Sequence, residues 1–402
     1  MYGVVLAAGQ GTRMRPLTDD RPKPLLPAAG RPLLEHVFDA CLDVVEEFVV
    51  VIGYRGADVE AHFGERYRDV PITYVTQDDP AGTAHAIAQV RPVVDDRFIV
   101  LNGDVLVDAT LPKALADTAG HAIATTPVEN PQSYGVVSVG ENGTLADIVE
   151  KPAEPPTNLA NVGCYAFDSS VFEYIDRTEQ SARGEYEITE TLELLLADGH
   201  EVSVVEYDGH WLDVGRPWEL LTANERLLGS IDRRIRGDVA ADAQLEGAVV
   251  IEAGATVREG VVIEGPAIVS SGAEIGPNAY IRGSTALGRD AHVGHGVEVK
   301  NSILMADAAV PHLSYVGDSV LGRDVNLGAG TNVANLRHDD ESIRMTVKGE
   351  RVDTGRRKLG VVLGDGVKTG INTSLNPGVK VGSDVTIDPG AVVRKDRMAS
   401  SQ

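Results

Sequence analysis

Residues 251–281 read IEAGATVREGVVIEGPAIVSSGAEIGPNAYI, and an aliphatic residue recurs at every sixth position of this stretch. The period runs without a break from Val239 to Val299 and returns over 363–393. A period of six fits neither the 3.6-residue turn of an α-helix nor the alternation of an ordinary strand. It is typical of a coil with flat faces, each a short strand that points one aliphatic side chain inward. The second half of the chain is therefore predicted to be a parallel β-helix of hexapeptide repeats.

Two places interrupt this period, a phase break at 305–315 and a stretch without pattern at 336–359. After the first break the period resumes with Tyr315, Leu321, Leu327 and Val333 as the predicted inward residues. Loops that interrupt a rigid scaffold commonly carry function, so functional residues are expected at both places. The exposed flat sides of such a solenoid need capping or association, so the coils are expected to pack against copies of the same chain.

Before about residue 225 the sequence alternates between strand-like and helix-like segments. Strands are predicted over 3–6, 48–53, 72–75 and 98–101, and helices over 33–42 and 83–90. This alternation predicts an α/β domain with a Rossmann-like, mostly parallel sheet, in which ligands bind beyond the carboxyl ends of the strands. The predicted domains are the α/β domain over 1–225, a linker helix over 226–236 and the β-helix over 237–402. The connecting helix itself is expected to begin near Trp218 and to end near Ile231.

The composition limits the classes of function. The 402-residue chain carries 36 lysines and arginines against 60 acidic residues, a formal net charge of −24, so binding to nucleic acid or to an anionic membrane is not expected. Nine of the basic residues are lysines, and an acidic surface with few lysines suits a salt-rich cytoplasm. We find two distant cysteines, no signal peptide and no apolar run of membrane-spanning length, which together predict a protein of the reducing cytoplasm.

A glycine-containing loop follows the first predicted strand, in the sequence LAAGQGTRMRP of residues 6–16. Gly9 and Gly11 allow the backbone to turn tightly and to approach a ligand closely, and exposed backbone N–H groups form a cradle for anions. The cations that follow are Arg13, Arg15, Arg21 and Lys23. The loop is interpreted as the site of a nucleoside triphosphate. The alternative is an ordinary turn with a solvated basic edge, because the spacing matches neither the dinucleotide fingerprint nor the Walker loop.

Polar residues in three further segments are candidates for the same site. Gly82 and Thr83 in QDDPAGT stand at the start of a predicted helix, where backbone N–H groups lack helical partners. Asp104 follows a predicted strand, and Asp213 lies in the segment WLDVG. Two carboxylates beside a phosphate pocket suit Mg²⁺, while either aspartate alone would also suit a helix cap or a turn.

Taken together, these segments resemble the sugar-1-phosphate nucleotidyltransferases. Eight motifs in the family's order carry the resemblance across nearly all of residues 1–225: LAAGQGTRMRPLTDDRPKPLLP, QDDPAGTAHA, LNGDV, SYGVV, VEKP, NVGCYAF, GEYEIT and WLDVG. With the six-residue repeat, the whole chain resembles the archaeal bifunctional branch, which combines nucleotidyl transfer with acetyl transfer to an amino-sugar-1-phosphate. The resemblance implies a left-handed β-helix.

The resemblance also implies roles for residues of the first half. Arg13 and Lys23 would neutralise the triphosphate while a sugar-phosphate oxygen attacks the α-phosphorus and pyrophosphate leaves. Mg²⁺ held by Asp104 and Asp213 would bridge the phosphates. The implied nucleotide contacts are Leu6, Ala7, Gly9, Gly11, Thr12, Gln77, Gly82 and Thr83. The implied contacts with the sugar phosphate are Gly135, Glu150, Lys151 and Asn161.

Residues of the second half resemble the acetyltransferase site of the bifunctional branch. His312 would be the general base for the attacking amine, and Tyr315 and Asn335 would position the amino sugar, although a lone histidine is more often a packed or solvated residue. The remaining implied contacts are Arg282 and Lys300 with the sugar phosphate, Asn326 with the sugar and Ala329 with acetyl-CoA.

One position departs from the family's pattern. A lysine is expected six residues after Asn335, and Glu341 stands there. A carboxylate cannot attract a sugar phosphate as an ammonium does. Arg337, Arg344 and Lys348 are nearby candidates to replace the lysine, and the segment 351–358 is also basic, although a run of charge is usually a solvated face.

Three functions are compatible with these observations. The first is a bifunctional enzyme that joins UTP or dTTP to N-acetylglucosamine-1-phosphate or glucose-1-phosphate and acetylates glucosamine-1-phosphate with acetyl-CoA. The second is a thymidylyl- or uridylyltransferase whose β-helix only oligomerises, and Glu341 favours it. The third is a sensor that binds sugar nucleotides, for which paired metal carboxylates are unnecessary. The resemblance implies a homotrimer or a dimer of trimers, with CoA between coils of adjacent chains.

Overall fold

The computed structural model describes residues 1–399, which form two compact units. The first unit contains Met1–Gln10, Pro22–Leu25 and Leu33–Asp213, and the second contains Gly11–Arg21, Leu26–Pro32 and the chain from Val214 onward. This division differs from a single boundary after residue 225, because two short N-terminal segments pack with the second half. In the first of them, Arg21 donates a hydrogen bond to Asp365 at 3.0 Å, and Lys380 Nζ donates to the carbonyl of Arg15 at 3.0 Å.

A ten-stranded mixed sheet forms the centre of the first unit. Across the sheet the strands are Leu145–Glu150, Gly135–Val139, Leu159–Phe167, Phe98–Asn102, Tyr2–Leu6, Glu47–Ile52, Val70–Thr76 and Arg66–Tyr67. The strand His121–Pro127 also pairs with Leu159–Phe167, and Val202–Glu206 pairs with His121–Pro127. The strands from Phe98–Asn102 to Val70–Thr76 are parallel, whereas Leu159–Phe167 is antiparallel to its partners. The predicted Rossmann-like core is confirmed, and antiparallel pairing extends it on both sides.

The central strands are apolar along their whole length because both faces of the sheet are covered. Val4 and Val100 pack in the core on one face, Val5 and Leu101 pack in the core on the other, and all four are fully buried. The helices of this unit are Leu33–Cys41, Gly56–Phe63, Thr83–Ala88, Thr110–Asp117, Val171–Ile175 and Ile188–Ala197. The short strands Val105–Leu106 and Leu212–Asp213 form a separate antiparallel pair. The predicted strands and helices of this half are confirmed within two residues at each end.

In the part of the chain that the structure describes, three eight-stranded parallel sheets form the β-helix of the second unit. One contains Arg234–Ile235, Val249–Ile251, Ala267–Val269, Thr285–Leu287, Ile303–Leu304, Val320–Leu321, Val362–Leu363 and Lys380–Val381. The next contains Asp238–Val239, Thr256–Val257, Glu274–Ile275, His292–His295, Ala309–His312, Asn326–Leu327, Lys368–Thr369 and Thr386–Ile387. The last contains Gln244–Glu246, Val262–Glu264, Tyr280–Arg282, Glu298–Lys300, Tyr315–Gly317, Asn332–Val333, Ser374–Leu375 and Val392–Val393. The architecture is that of the predicted hexapeptide β-helix, whose left-handed form it fits.

The phase break at 305–315 is not a loop, contrary to expectation. The next core residue after Val299 is Leu304, and the next after Val316 is Leu321. Each of these spacings is one residue shorter than the usual six, so two corners of the β-helix have one residue fewer. Val316 is therefore the buried inward residue, and the prediction that Tyr315 points inward is wrong. His312 ends the strand Ala309–His312 of a regular coil.

The insertion at 336–359 leaves the coil and returns to it. It carries an antiparallel hairpin of Arg344–Val347 and Glu350–Asp353. The coil continues with Val362–Leu363, where Leu363 pairs with Leu321. This is the long interruption that the sequence predicted.

The connecting helix is Pro217–Leu228, with proline in its first turn and Gly229 after its last residue. The predicted linker helix over 226–236 is wrong beyond Leu228. Arg234–Ile235 instead pairs with Val250–Ile251 as the first strand of the β-helix.

Candidate active sites of the two units

An ion pair between Lys23 and Asp104 lies in the first unit. Lys23 is 8% exposed, and its ammonium contacts a carboxylate oxygen of Asp104, which follows the strand Phe98–Asn102. The N–H of Gly103 donates to the carbonyl of Leu6 at 2.9 Å, and the N–H of Ala7 donates to the next strand at Val51. Two predicted charged site residues thus lie at the carboxyl end of the first strand, beside Leu6 and Ala7.

Asp213 lies next to the same turn. It pairs with Val105 in the short antiparallel ribbon, so its backbone is adjacent to that of Asp104. Hard carboxylate oxygens are the protein ligands that Mg²⁺ prefers, and the chemistry of this pair fits the ion. Among residues 1–399 no group of three or more histidine, cysteine, aspartate or glutamate side chains is arranged to hold a metal. The remaining ligands of Mg²⁺ would therefore be phosphate and water.

The glycines of the loop differ in their surroundings. A Cβ atom at Gly9 would meet nothing within 4 Å, which leaves space for a ligand beside the backbone. Gly11, in the second unit, has φ 61° and precedes the short helix Thr12–Met14. Arg13 is exposed, and its guanidinium lies 3.3 Å from the place that a Cβ at Gly215 would take. The tight turn predicted at Gly11 is present.

Gln77 and Gly82 are held together in the first unit. Gln77 is 5% exposed, and its Nε2 lies 2.9 Å from Nδ1 of His85 and 3.4 Å from the carbonyl of Gly82. A Cβ at Gly82 would lie 2.5 Å from the carbonyl oxygen of Tyr186, and φ there is 117°. Only glycine fits such a position, so the packing alone requires Gly82.

Thr83 has a structural partner that the sequence did not reveal. Its hydroxyl accepts a hydrogen bond from the N–H of Ile188 at 3.0 Å and so caps the helix Ile188–Ala197. The N–H of Ala84, in the first turn of the helix Thr83–Ala88, donates to the carbonyl of Tyr186 at 2.9 Å. A role for Thr83 in binding the base would therefore compete with its capping role.

The predicted sugar contacts of the first unit lie together. Gly135 pairs with Glu150, and a Cβ at Gly135 would lie 3.1 Å from Oε2 of Glu150 and 3.5 Å from Cβ of Asn161. Glu150 accepts from Lys151 at 2.8 Å and from Arg183 at 2.9 Å. Sequence reasoning missed Arg183, although it directly precedes the motif GEYEIT.

A buried carboxylate, Asp318, organises the candidate site of the second unit. It is 2% exposed and accepts from Lys300 Nζ at 2.9 Å and from the amide of Asn335, which also donates to the Tyr315 hydroxyl at 3.1 Å. Three predicted site residues are thus joined through a residue that was not predicted. The signal available was its place in the sequence YVGD, three residues after Tyr315.

Close packing holds Tyr315 in place. A Cβ at Gly317 would lie 2.5 Å from the Tyr315 hydroxyl and 2.7 Å from the Asn335 amide. Burial raises the pKa of Tyr315, so the phenol stays protonated near neutral pH and remains a hydrogen-bond donor.

The predicted phosphate-binding cations are both engaged. Arg282 and Lys300 occupy the same register on neighbouring coils. The guanidinium of Arg282 donates a hydrogen bond to Glu298 at 2.7 Å, and this bond to the carboxylate raises the pKa of Arg282. Lys300 is paired with Asp318, so neither cation is free of a carboxylate.

His312, Asn326 and Ala329 belong to a neighbouring face of the β-helix. Asn326 pairs with Ala309 of the strand that ends at His312, and the His312 carbonyl accepts from Gly330 at 3.2 Å. The His312 side chain is exposed, and within residues 1–399 the structure gives its imidazole no hydrogen-bond partner. It is therefore accessible to solvent.

The basic residues that the insertion places beside Asp318 are not those nearest to Glu341 in the sequence. Glu341 is exposed, Arg337 is paired with Asp339, and Arg344 donates to the carbonyl of Arg351 at 3.1 Å. A cavity of about 420 Å³ is instead lined by Asp318, Arg356, Arg357 and Lys358.

Comparison with known protein families covers both units. The family model described as nucleotidyl transferase matches residues 2–230. A GMPPB C-terminal domain matches 263–370, and a bacterial transferase hexapeptide of six repeats matches 360–395. No helix within the described residues has both the length and the apolar character of a membrane span.

Relatives match almost the whole chain. A bifunctional protein GlmU of Methanocaldococcus jannaschii is 41% identical over 93% of this chain and 90% of its own length. A bifunctional sugar-1-phosphate nucleotidylyltransferase/acetyltransferase of Sulfurisphaera tokodaii is 39% identical over 93% of this chain and 92% of its own. A structure described as a glucose-1-phosphate thymidylyltransferase of Bacillus anthracis is 31% identical, with a TM-score of 0.52, over 58% of this chain and 97% of its own.

Proposed function

The chain belongs to the nucleotidyl transferase family, in the bifunctional branch that also carries hexapeptide repeats, and on this premise we propose that it catalyses two reactions. One transfers a nucleotidyl group from UTP or dTTP to N-acetylglucosamine-1-phosphate or glucose-1-phosphate and releases pyrophosphate. The other transfers the acetyl group of acetyl-CoA to the amine of glucosamine-1-phosphate. Similarity to bifunctional relatives over 93% of the chain carries the proposal.

The first unit would perform the nucleotidyl transfer by positioning and by charge neutralisation. A phosphate oxygen of the sugar attacks the α-phosphorus of the nucleotide in line with the leaving pyrophosphate. Lys23 would stabilise charge on the phosphates from a position that is preorganised by Asp104. Gly135, Glu150 and Asn161 would hold the sugar.

Asp104 and Asp213 would hold Mg²⁺, which supplies positive charge to the triphosphate when bound. The pairing of Asp213 with Val105, the residue that follows Asp104, supports this assignment because it brings the two aspartates close together. Arg13 would contribute a further positive charge, as the family resemblance implies.

The second unit would perform the acetyl transfer. His312 would take a proton from the glucosammonium, and the freed amine would attack the thioester carbonyl of acetyl-CoA, with CoA as leaving group. Tyr315 and Asn335, fixed by Asp318, would orient the sugar. Asn326 and Ala329 would line the acceptor and CoA sides of the site, and the CoA would lie between coils of adjacent chains in a trimer.

Two assays test the two activities in the same preparation. The first follows pyrophosphate release with a panel of nucleoside triphosphates and sugar-1-phosphates. The second follows free CoA with glucosamine-1-phosphate and acetyl-CoA. Replacing His312 with Asn should lower CoA release by about 10²- to 10⁴-fold and leave pyrophosphate release unchanged. His295→Asn, at the same register one coil earlier, is the matched control.

The alternative is a uridylyl- or thymidylyltransferase without acetyl transfer, and Glu341 at the expected lysine position favours it. The organised contacts among Asp318, Lys300, Asn335 and Tyr315 favour two activities. CoA release that is absent, or that does not depend on His312, would support the single-activity alternative.

The surface charge and the thiols support the proposed cellular setting. Cys41 and Cys164 are free and buried, which supports the reducing cytoplasm that the sequence predicts. The net charge of −24 supports function at high salt. An activity profile without a salt requirement would contradict that last assignment.

A further inference from the structure

The cavity of about 420 Å³ in the second unit is lined by one carboxylate and three consecutive cations, Arg356, Arg357 and Lys358. Its volume lies in the range typical of sites for small ligands. Three consecutive cations at one cavity are unusual in a chain whose net charge is −24. The lining therefore favours an anionic ligand.

The basic segment is built into the candidate acetyltransferase site by its backbone. Lys358 pairs with Leu336, and the N–H of Leu359 donates to the carbonyl of Asn335 at 3.0 Å. The N–H of Gly360 donates to the carbonyl of Asp318 at 2.8 Å. The two residues that follow Lys358 are thus bonded to Asn335 and Asp318, which contact Tyr315 and Lys300, so the cavity and the Asp318 cluster are parts of one site.

Most cations around this site already have a carboxylate partner, which limits what they can offer to a ligand. The pairs are Lys300 with Asp318, Arg282 with Glu298, Arg356 with Glu225 and Arg357 with Asp340. Lys358 is exposed, and over residues 1–399 the structure gives its ammonium no ion pair. The charge of Asp318 is compensated by Lys300, so it does not oppose an anion in the cavity.

We infer that Lys358 binds the phosphate of the amino-sugar-1-phosphate and so takes the place of the lysine that is absent at Glu341. The inference rests on the proposed acetyl transfer and assigns its acceptor a specific cation. Lys348 and Arg344, on the hairpin, are not among the described residues that line the cavity. Lys358 therefore accounts for the departure at Glu341 without loss of the second activity.

The test compares Lys358→Met with wild type in the CoA-release assay, with the full chain throughout. Loss of one charge-assisted hydrogen bond should raise the KM for glucosamine-1-phosphate by about 10- to 100-fold. The kcat and the KM for acetyl-CoA should not change. Inorganic phosphate should compete with glucosamine-1-phosphate in the wild type, and its inhibition constant should rise by a similar factor in the variant. If Lys358 only stabilised the fold, its loss would not raise the KM for glucosamine-1-phosphate and the inhibition constant of phosphate while kcat and the KM for acetyl-CoA stayed unchanged.

Two further variants complete the design. Lys358→Arg should restore most of the affinity, since it keeps the charge, and Lys395→Met, an exposed lysine near the end of the coils, should behave as wild type. Wild-type acetyl transfer with an unchanged KM in Lys358→Met would overturn the assignment of Lys358 alone. Absence of CoA release in the wild type would overturn the proposed acetyl transfer itself, and the inference with it.

Discussion

Gly317→Ala should impair acetyl transfer and leave nucleotidyl transfer unchanged. The added Cβ would lie 2.5 Å from the Tyr315 hydroxyl and 2.7 Å from the Asn335 amide. Ordinary contact begins near 3.4 Å, so these side chains must move by roughly 0.9 Å. Misplacement by about 1 Å costs roughly 10²-fold in rate, and overpacking costs about 1–3 kcal/mol in the free energy of unfolding.

The measurement is CoA release with glucosamine-1-phosphate, with pyrophosphate release followed in parallel. We expect the first to fall by about 10²-fold and the second to remain unchanged. Gly229→Ala is the matched control, because Gly229 has the helical φ of −62° and a Cβ there meets only the carbonyls of its own helical turn, at 3.3 and 3.5 Å. Acetyl transfer at the wild-type rate in Gly317→Ala would show that the placement of Tyr315 and Asn335 is unimportant to the reaction.

Three further predictions concern other parts of the chain. Lys23→Met should lower pyrophosphate release by about 10²- to 10³-fold while CoA release persists, and equal loss of both activities would instead indicate misfolding. Burial raises the pKa of Cys41 to about 12 and that of Cys164 well above its ordinary value, so a thiol reagent at pH 8 should modify neither in the native chain and both after unfolding. Rapid labelling of the native chain would contradict the burial of these thiols. Because the native thiols keep their protons, their contribution to stability is complete below pH 9, the ordinary thiol pKa, and is lost as the pH rises toward 12. Asp365→Asn should lower the free energy of unfolding by about 3–5 kcal/mol, since it leaves the buried Arg21 without its carboxylate, and an unchanged urea midpoint would count against that ion pair.

The fold was predictable where the sequence is periodic. One aliphatic residue for each strand of the coil specifies the β-helix, and buried strands of a doubly covered sheet are apolar throughout. The inward position of Tyr315 was mispredicted because a corner with one residue fewer shifts the period, and Val316 takes the core position. A count along the sequence cannot distinguish such a short corner from a loop.

The site was predictable where a motif identifies each residue, but its contacts were not. Lys23 and Asp104 are separated by 81 positions, and their ion pair arises from the order of the strands. Asp318 belongs to none of the recognised motifs, and it was identified as part of the site because it is buried and accepts a hydrogen bond from Asn335. Lys358 lies in an unpatterned insertion, and backbone pairing with Leu336 and hydrogen bonds of the two following residues bring it to the site.

The ion pair between Arg21 and Asp365 has a practical consequence for how the two activities are separated. The segment Gly11–Arg21, which carries Arg13, is held by Asp365 and by Lys380, residues more than 340 positions further along the chain. A shortened protein that stops after Leu228 would keep every nucleotidyltransferase motif and lose both anchors. If such a truncated protein lost nucleotidyl transfer, the loss could come from the released segment that carries Arg13 and would not show that the β-helix is needed for this reaction. Single substitutions such as His312→Asn keep both anchors and therefore separate the two activities more cleanly.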